Sequence, residues 1–249
     1  MIRVTYKDHM GSDLSVVNAA RVSFGKEKEA LGYTKIGDGP SIPVIHDTDK
    51  SLIKYLAVHK HMSPFGHSFA SFHIKAPIFV ARQLVKHKFL RWNEISRRYV
   101  DDEPEFYIPE VWRGRSADKK QGSSDTTVDN LYWSDLDTEL STEGHPQWHE
   151  ESEVGVSKYT QDIYEDILRL YNRMISNDVC PEQARMVLPQ STMTEWIWSG
   201  SLDAFSDMCN LRCKPDTQAE TREVANQIDR KMIDLFPVSW DALTENWDD

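Results

Sequence analysis

"FASFHIKAPIFVARQLVKHKF", residues 69–89, changes its hydrophobic periodicity at a single proline. Apolar and polar residues alternate from Ala70 to Ala76, and this period of two predicts a strand with one buried face. The ring of Pro77 sets a φ angle that suits the first turn of a helix, so we predict a helix from Pro77 to Phe89. The segment therefore predicts a strand that leads directly into a helix.

The segments on both sides of this pair predict an α+β fold. Residues 114–157 are the most polar part of the chain and are interpreted as an exposed insertion, because no second hydrophobic core is evident. We therefore predict a single domain, residues 1–249, in which several helices pack on a mostly antiparallel sheet. Before the pair we expect a strand at 2–6, a helix at 13–24 with Asp13 as its N-cap, a loop at 34–48 and a helix at 49–61. After the insertion we expect a helix from Ser157, with an apolar stripe of Ile163, Ile167, Tyr171 and Met174. Three more helical segments follow it, "PEQARMVL", "SLDAFSDMCNLR" and "TQAETREVANQIDRKMIDLF".

The composition argues against several classes of protein. A formal net charge of -11 and a sequence pI near 5.3 do not suit broad nucleic-acid binding, which needs a basic surface. No uncharged apolar stretch approaches the ~20 residues that span a bilayer. The N-terminus has no apolar signal core, and three cysteines do not make a disulfide framework. We expect a cytoplasmic protein, in the host cytoplasm if it is viral, with neither nucleic acid nor membrane as a partner.

One segment is basic, although the chain as a whole is acidic. Between Arg82 and Arg98, here called the basic segment, six residues are basic and Glu94 is the only acid. Such a cluster on an acidic protein predicts a pocket for a small polyanion, and a solvated helix face with scattered ion pairs is the alternative. Asn93 and Glu94 could bind the polar edge of a heterocycle, so the mixture suits a nucleotide better than a bare anion.

Two further arginines lie in otherwise apolar stretches, Arg185 in "EQARMVLPQ" and Arg212 in "CNLRCK". A partly buried arginine needs an anionic partner, which could be a ligand or a structural carboxylate. The phosphate-binding motifs G-x-G-x-x-G and G-x-x-x-x-G-K-[ST] are absent. The histidines of "HKHMSPFGH" match no strong zinc signature, so no metal site is predicted.

The basic segment carries the spacing of a known motif. Lys86-His87-Lys88, seven residues and then Ser96 correspond to R-H-R, seven residues and then S. The stretches "AARVSF", "HMSPFGH", "FHIKAPIFVARQ", "FYIPE", "ARMVLP" and "NLR" followed by "TQAE" occur in order between residue 19 and about residue 235. In these motifs the chain resembles the flavin-dependent thymidylate synthases over nearly its whole length.

The chain departs from the family's pattern at several positions. Lysines replace both arginines of R-H-R, which keeps the charge but loses the planar fork. Arg91 stands where many members carry a small residue. Ser201 and Asp203 stand where many members carry Asn and Arg, so the charge at an expected flavin contact is reversed.

The resemblance implies an activity and an assembly. It implies reductive methylation of dUMP to dTMP, with methylenetetrahydrofolate as the carbon donor, NADPH as the reductant and FAD as the flavin. It also implies a homotetramer whose active sites form between subunits. Two alternatives stay open: the same fold could methylate or hydroxymethylate a related pyrimidine nucleotide such as UMP, or it could bind a nucleotide or RNA without catalysis.

The resemblance also implies roles for individual residues. Arg212 is implied at the uracil, where a guanidinium favours the N3-deprotonated form of the base. We interpret Ser96 as a hydrogen-bond donor to the nucleotide phosphate and not as a nucleophile, because the nearest candidate bases, Glu94 and His87, are expected at ligands. The implied flavin contacts are Ser63, Lys86, His87, Lys88, Glu94, Ser201 and Asp207, with His61 near the flavin ring, and the implied nucleotide contacts are Gln83, Lys86, Glu94, Ile95, Ser96, Arg97, Arg98, Arg185 and Arg212.

Overall fold

The computed structural model describes residues 1–35, 40–100, 102–117, 123–131 and 154–244. Contacts between Cα atoms divide the chain into two compact units. The first unit contains Met1–Ile95 and Thr194–Asp249, and the second contains Ser96–Met193. Both helices and antiparallel strand pairs are present, so the predicted α+β class is confirmed. The assignment of residues 1–249 to a single domain stays a prediction.

The elements of the described ranges are as follows. The strands are β1 Arg3–Met10, β2 Gly32–Lys35, β3 Ser41–Val44, β4 Phe69–Pro77, β5 Arg91–Glu94, β6 Arg113–Arg115, β7 Ser123–Thr127, β8 Asn130–Leu131, β9 Val154–Gly155 and β10 Met193–Ser201. The α-helices are α1 Asp13–Arg21, α2 Asp47–Val58, α3 Ile78–Leu84, α4 Val156–Ser176, α5 Pro181–Ala184, α6 Leu202–Arg212, α7 Ala219–Leu235 and α8 Pro237–Leu243. Short 3-10 turns cover Val22–Phe24, Ser63–His67 and Arg185–Val187.

A four-stranded sheet in the order β1-β4-β10-β5 forms the framework of the first unit. β1 is antiparallel to β4, and β10 is antiparallel to β5 with Trp196 opposite Glu94. Contacts between β4 and β10 also run in opposite directions, since Ser71 bonds Ser199 whereas Lys75 lies near Glu195. The predicted mostly antiparallel sheet is therefore confirmed.

One face of this sheet is buried, as the alternation in β4 predicts. Phe72 and Ile74 are fully buried, and the ring of Phe72 packs edge-on against Phe205 of α6. β10 repeats the pattern with Trp196 and Trp198. β10 was not predicted, although "TEWIWSG" alternates large and small or polar residues in the same way.

Three local predictions for the first unit are wrong. The expected loop at 34–48 contains β3, which pairs with β2 because "SIPV" can bury Ile42 against its partner strand. The helix after Pro77 ends at Leu84 rather than Phe89, because the chain then turns and enters β5. Ser12, not Asp13, occupies the N-cap of α1.

The second unit contains two small antiparallel pairs, β6 with β7 and β8 with β9. The predicted helix from Ser157 is confirmed as α4, but Tyr171 is the one fully buried residue of its predicted stripe. "PEQARMVL" forms only α5 and a 3-10 turn. Much of the predicted insertion at 114–157 lies outside the described residues. No helix in the described ranges is long and apolar enough to cross a membrane.

Candidate active site

The basic segment begins in the last turn of α3 and continues through a tight turn into β5. The His87 amide donates to the Leu84 carbonyl at 3.1 Å, and Phe89 adopts a left-handed φ of 69°. Gly200 of β10 lies against this turn, where an added Cβ would stand 2.3 Å from Cδ2 of Leu90. The missing side chain at Gly200 therefore lets the basic segment pack closely against the sheet.

The cations of this turn have no acidic partners among the described residues. Lys86, Lys88 and Arg91 are exposed, and none of them pairs with a carboxylate of the residues that the structure describes. Coulomb repulsion between neighbouring like charges is unfavourable unless an anion screens it. The arrangement suits an anionic ligand better than the alternative of a surface covered with ion pairs.

Arg212, at the end of α6, reaches the same turn. Its Nε donates to Nε2 of His87 at 3.0 Å, and its NH2 group donates to the Gln83 carbonyl at 3.4 Å. The side chain is half-buried, and burial lowers the pKa of the guanidinium from its usual value. An arginine nevertheless stays protonated, so a charge is held here without a carboxylate partner among the described residues.

His87 is neutral in this environment. Burial, and secondly the charge of Arg212, lower the pKa of its imidazole to about 4. A neutral ring can accept at Nε2, as the bond from Arg212 requires, and its proton then sits on Nδ1. The ring also contacts Trp198, with 6.4 Å between centroids and 64° between planes.

An aromatic cluster continues from His87 to Glu94. Trp92 packs edge-on against Trp198 and stacks on Trp196 with 4.4 Å between centroids. Glu94 is exposed, and its two oxygens accept from Trp92 Nε1 at 3.0 Å and from Thr194 Oγ1 at 2.7 Å. These two bonds hold the carboxylate in one orientation at the edge of the sheet.

Two other predicted nucleotide contacts lie in the first unit. Gln83 is half-buried, and its side-chain amide donates to the side-chain carbonyl of Gln218, just before α7. Ile95 is exposed and continues the pairing of β5, since its amide donates to the Glu195 carbonyl at 2.9 Å. Gln83 therefore lies beside Arg212, whose NH2 group bonds its backbone carbonyl.

The remaining predicted flavin contacts lie before α6, at its start and in its middle. Ser63 and His61 are exposed in and before the 3-10 turn Ser63–His67, which packs on α6. Ser201 is buried, and its hydroxyl donates to the carboxylate of Asp203. Burial and then repulsion from Asp203 raise the pKa of Asp207, and Lys60 opposes this shift. Helix α6 thus has predicted flavin contacts at its N-cap, Ser201, and in its middle, Asp207, and carries Arg212 at its end.

Four predicted nucleotide contacts belong to the second unit. The Ser96 hydroxyl accepts from the amide of Arg98 at 3.4 Å and from its Nε at 3.3 Å. Arg97 pairs with Asp102 at 3.7 Å. Arg185 is exposed and donates to the Glu182 carbonyl, so the expectation that it is partly buried is wrong. Arg185 follows α5, which has only four residues, and so short a helix does not enclose its side chain.

Several residues of this arrangement were not predicted. Trp92, Trp198, Thr194 and Gln218 position predicted site residues, yet each looks like an ordinary core or surface residue in the sequence. The alternation of "TEWIWSG" is the one signal that could have identified Thr194 and Trp198 as sharing a face.

Comparison with known proteins identifies the family. The sequence model described as "Thymidylate synthase complementing protein" matches residues 6–238. A protein named "Flavin-dependent thymidylate synthase" from Thermus thermophilus is 33% identical over 239 residues, which cover 96% of this chain and 74% of that protein. One of the same name from Kosmotoga olearia is 35% identical over 234 residues, which cover 94% and 86%. The chain belongs to the flavin-dependent thymidylate synthase family of enzymes, as its motifs predict.

Solved structures agree with this assignment. A crystal structure of PolB from Streptomyces cacaoi, a UMP/dUMP methylase bound with 5-Br dUMP, has a TM-score of 0.72 and 27% identity. The match covers 97% of this chain and 94% of that chain. PolB bound with 5-Br UMP has a TM-score of 0.68 and 28% identity, and the match covers 97% and 93%.

Proposed function

We propose that this protein converts dUMP to dTMP by reductive methylation, with methylenetetrahydrofolate as the carbon donor and NADPH-reduced FAD as the hydride source. Membership of the flavin-dependent thymidylate synthase family supports the reaction and the flavin. The likeness to a methylase solved with 5-Br dUMP supports the nucleotide. NADPH and the folate rest on the resemblance of the motifs alone.

The observation that carries the proposal is the half-buried charge of Arg212. A charge in such a place is stabilised by an anion, and the described residues offer it none. A uracil deprotonated at N3 is such an anion. Arg212 would stabilise its negative charge and so favour attack by carbon 5 on the carbon donor.

The residues of the first unit fit a flavin. Lys86 and Lys88 are exposed cations without carboxylate partners in the described ranges and suit phosphates. His87 has Nδ1–H left to donate, because Nε2 accepts from Arg212. A bound reduced flavin would supply the hydride that completes the methyl group. The proposed flavin contacts are Ser63, Lys86, His87, Lys88, Glu94, Ser201 and Asp207, with His61 near the ring.

The proposed mechanism has no protein nucleophile. The Ser96 hydroxyl already accepts from Arg98, and no general base within the described residues activates it. Burial raises the pKa of Cys209 well above its usual value, which opposes a reactive thiolate. Ser96 is therefore proposed to bind the nucleotide phosphate together with Gln83, Lys86, Glu94, Ile95, Arg97, Arg98 and Arg185.

A second candidate is methylation of UMP. It is favoured by one observation, namely that the structurally similar PolB is a UMP/dUMP methylase solved with both brominated nucleotides. The ribose and deoxyribose substrates differ by one hydroxyl group, and charges that bind phosphate and uracil do not distinguish between them. Hydroxymethylation and binding without catalysis are further outcomes that an assay must separate.

The test is an anaerobic incubation of the FAD-loaded protein with NADPH, methylenetetrahydrofolate and either dUMP or UMP. We expect a product heavier than dUMP by CH2, because a methyl group replaces the hydrogen on carbon 5. Faster methylation of UMP would select the second candidate, and a gain of CH2O would select hydroxymethylation. A properly folded protein that binds no FAD and changes neither nucleotide would contradict the proposed function.

A homotetramer is part of the proposal. Helix α4 is amphipathic, yet Ile163 and Leu170 remain exposed on it, which suits a surface that another subunit covers.

We also propose a cytoplasmic location, because every proposed substrate is a charged metabolite.

A further inference from the structure

His87 makes a contact that the family resemblance does not imply. The resemblance implies a flavin contact for it, whereas the structure joins its Nε2 atom to Nε of Arg212 at 3.0 Å. The two residues are 125 positions apart in the chain, so tertiary packing alone brings them together. The Gln83 carbonyl accepts from NH2 of the same guanidinium at 3.4 Å.

These two acceptors occupy one edge of the guanidinium. Nε–H and one N–H of NH2 point the same way from the planar group, and His87 and Gln83 accept from this side edge. The end edge, formed by NH1 and the other N–H of NH2, bonds no acceptor of the described residues. A planar donor edge held in one orientation is what bidentate recognition of a planar anion requires.

We infer that His87 is a positioning residue, which orients the Arg212 guanidinium through its Nε2 acceptor so that the end edge of the guanidinium faces the uracil. This inference rests on the proposed function for the identity of the ligand. The contact between the two side chains does not depend on that function.

The surroundings of His87 make it a suitable fixed acceptor. Its own amide bonds the Leu84 carbonyl, and its ring lies against Trp198. Trp198 is fully buried and packs edge-on against Phe205 at 5.6 Å. The imidazole therefore has limited freedom to turn. An imidazolium could not accept from Arg212, and the low pKa of His87 keeps the ring neutral near pH 7.

A double-mutant cycle in the FAD-loaded enzyme tests the inference. The variants are His87→Phe, Arg212→Ala and the two together, with kcat/KM for dUMP (or for UMP, if it is the substrate) as the readout. Arg212→Ala is expected to lose at least ~100-fold, the scale for one preorganised donor. His87→Phe alone is expected to lower kcat/KM about tenfold. In the Arg212→Ala background it should lower kcat/KM less than about twofold, because His87 acts through that arginine. If the losses of the two single variants multiply in the double variant, the inference is overturned.

Conservative variants separate positioning from packing. The side-chain oxygen of Gln reaches the position of Nε2, whereas that of Asn does not, so His87→Gln should recover activity that His87→Asn and His87→Phe lose. His46→Phe, an exposed residue before α2, is the control and should leave kcat/KM unchanged. FAD content is measured in every variant and kcat/KM is expressed per bound FAD, because His87 is also a proposed flavin contact. Losses that disappear after this correction in all three His87 variants would overturn the inference.

A second measurement needs no activity. Removing the charge of Arg212 should raise the pKa of His87 from about 4 towards its ordinary 6.5, since that charge is one of the two causes of the shift. The pKa is measured in the protein without FAD by NMR of ¹³C-labelled histidine, with His87→Asn identifying the signal. An unchanged pKa in Arg212→Ala would overturn the inference. If the pKa rises while neither dUMP nor UMP reacts, the positioning contact stands and the proposed function fails.

Discussion

His87 and Arg212 illustrate how much the role of one residue depends on its neighbours. From the motif, His87 is expected at the flavin and Arg212 at the uracil, as two separate contacts. In the structure the two side chains share a hydrogen bond, and burial and then the charge of Arg212 lower the pKa of His87. A substitution at His87 is therefore expected to change nucleotide chemistry as well as flavin binding.

Asp13 shows the same dependence in the hydrophobic core. It is buried, and its two carboxylate oxygens accept from the amides of Val238 and Ser239 at the start of α8. It therefore caps a helix more than 200 residues away, rather than its own helix α1 as the sequence suggests. Helix starts need such acceptors because their first amides have no partner within the helix.

We predict that Asp13→Ala lowers the free energy of unfolding by about 2 kcal/mol, the upper range for loss of an N-cap, because two amides lose their acceptor. Asp47→Ala is the matched control. Asp47 is an exposed first-turn aspartate paired with Lys50, so its loss should lower the free energy of unfolding far less than the loss of Asp13. Urea unfolding measures both variants, and equal losses would contradict the assigned role of Asp13.

At the scale of elements, the contact between β10 and the basic segment positions the candidate site. β10 lies between β4 and β5 and contributes Thr194, Trp196 and Trp198 to the face where Glu94 and His87 are held. The close approach at Gly200 brings Leu90 against this strand. The order of the strands therefore determines where the charges of the basic segment lie.

We predict that Gly200→Ala lowers the free energy of unfolding by ~1–3 kcal/mol, the usual cost of overpacking, because the new Cβ would overlap the buried Leu90 side chain. Gly32→Ala in β2 is the control, since a Cβ there meets nothing within 4 Å, and it should change stability by less than about 0.5 kcal/mol. Denaturant unfolding of the two variants measures both changes in the free energy of unfolding. A Gly200→Ala protein as stable as the control would mean that Leu90 moves aside freely.

At the scale of the whole molecule, a net charge of -11 coexists with six basic residues in the segment from Arg82 to Arg98. Concentrated positive charge destabilises the free protein and is relieved when an anion binds. Phosphate-bearing ligands should therefore stabilise the folded protein through linkage. If subunits complete one another's sites, the same ligands should also stabilise the assembly.

We predict that FAD at about 100 times its dissociation constant raises the free energy of unfolding by about 2.7 kcal/mol. Riboflavin at the same concentration is the control and should stabilise less, because it has no phosphates for the lysines. Light scattering should give a mass near four chains of 28.8 kDa. A fully active monomer would contradict the proposed tetramer, and equal stabilisation by riboflavin would contradict phosphate binding by the basic segment.

The sequence by itself determined the family, the α+β class, the strand and helix around Pro77, and the cluster of positive charge. Those properties depend on local periodicity, on charge and on the order of motifs, all of which can be read along the chain. Only the tertiary structure decided that Arg212 bonds His87, that Asp13 caps α8, and that "TEWIWSG" is a strand inside the sheet. These features join residues far apart in the chain, and burial and packing select such partners. The alternation of "TEWIWSG" indicates a strand, but it does not indicate which strands lie beside it.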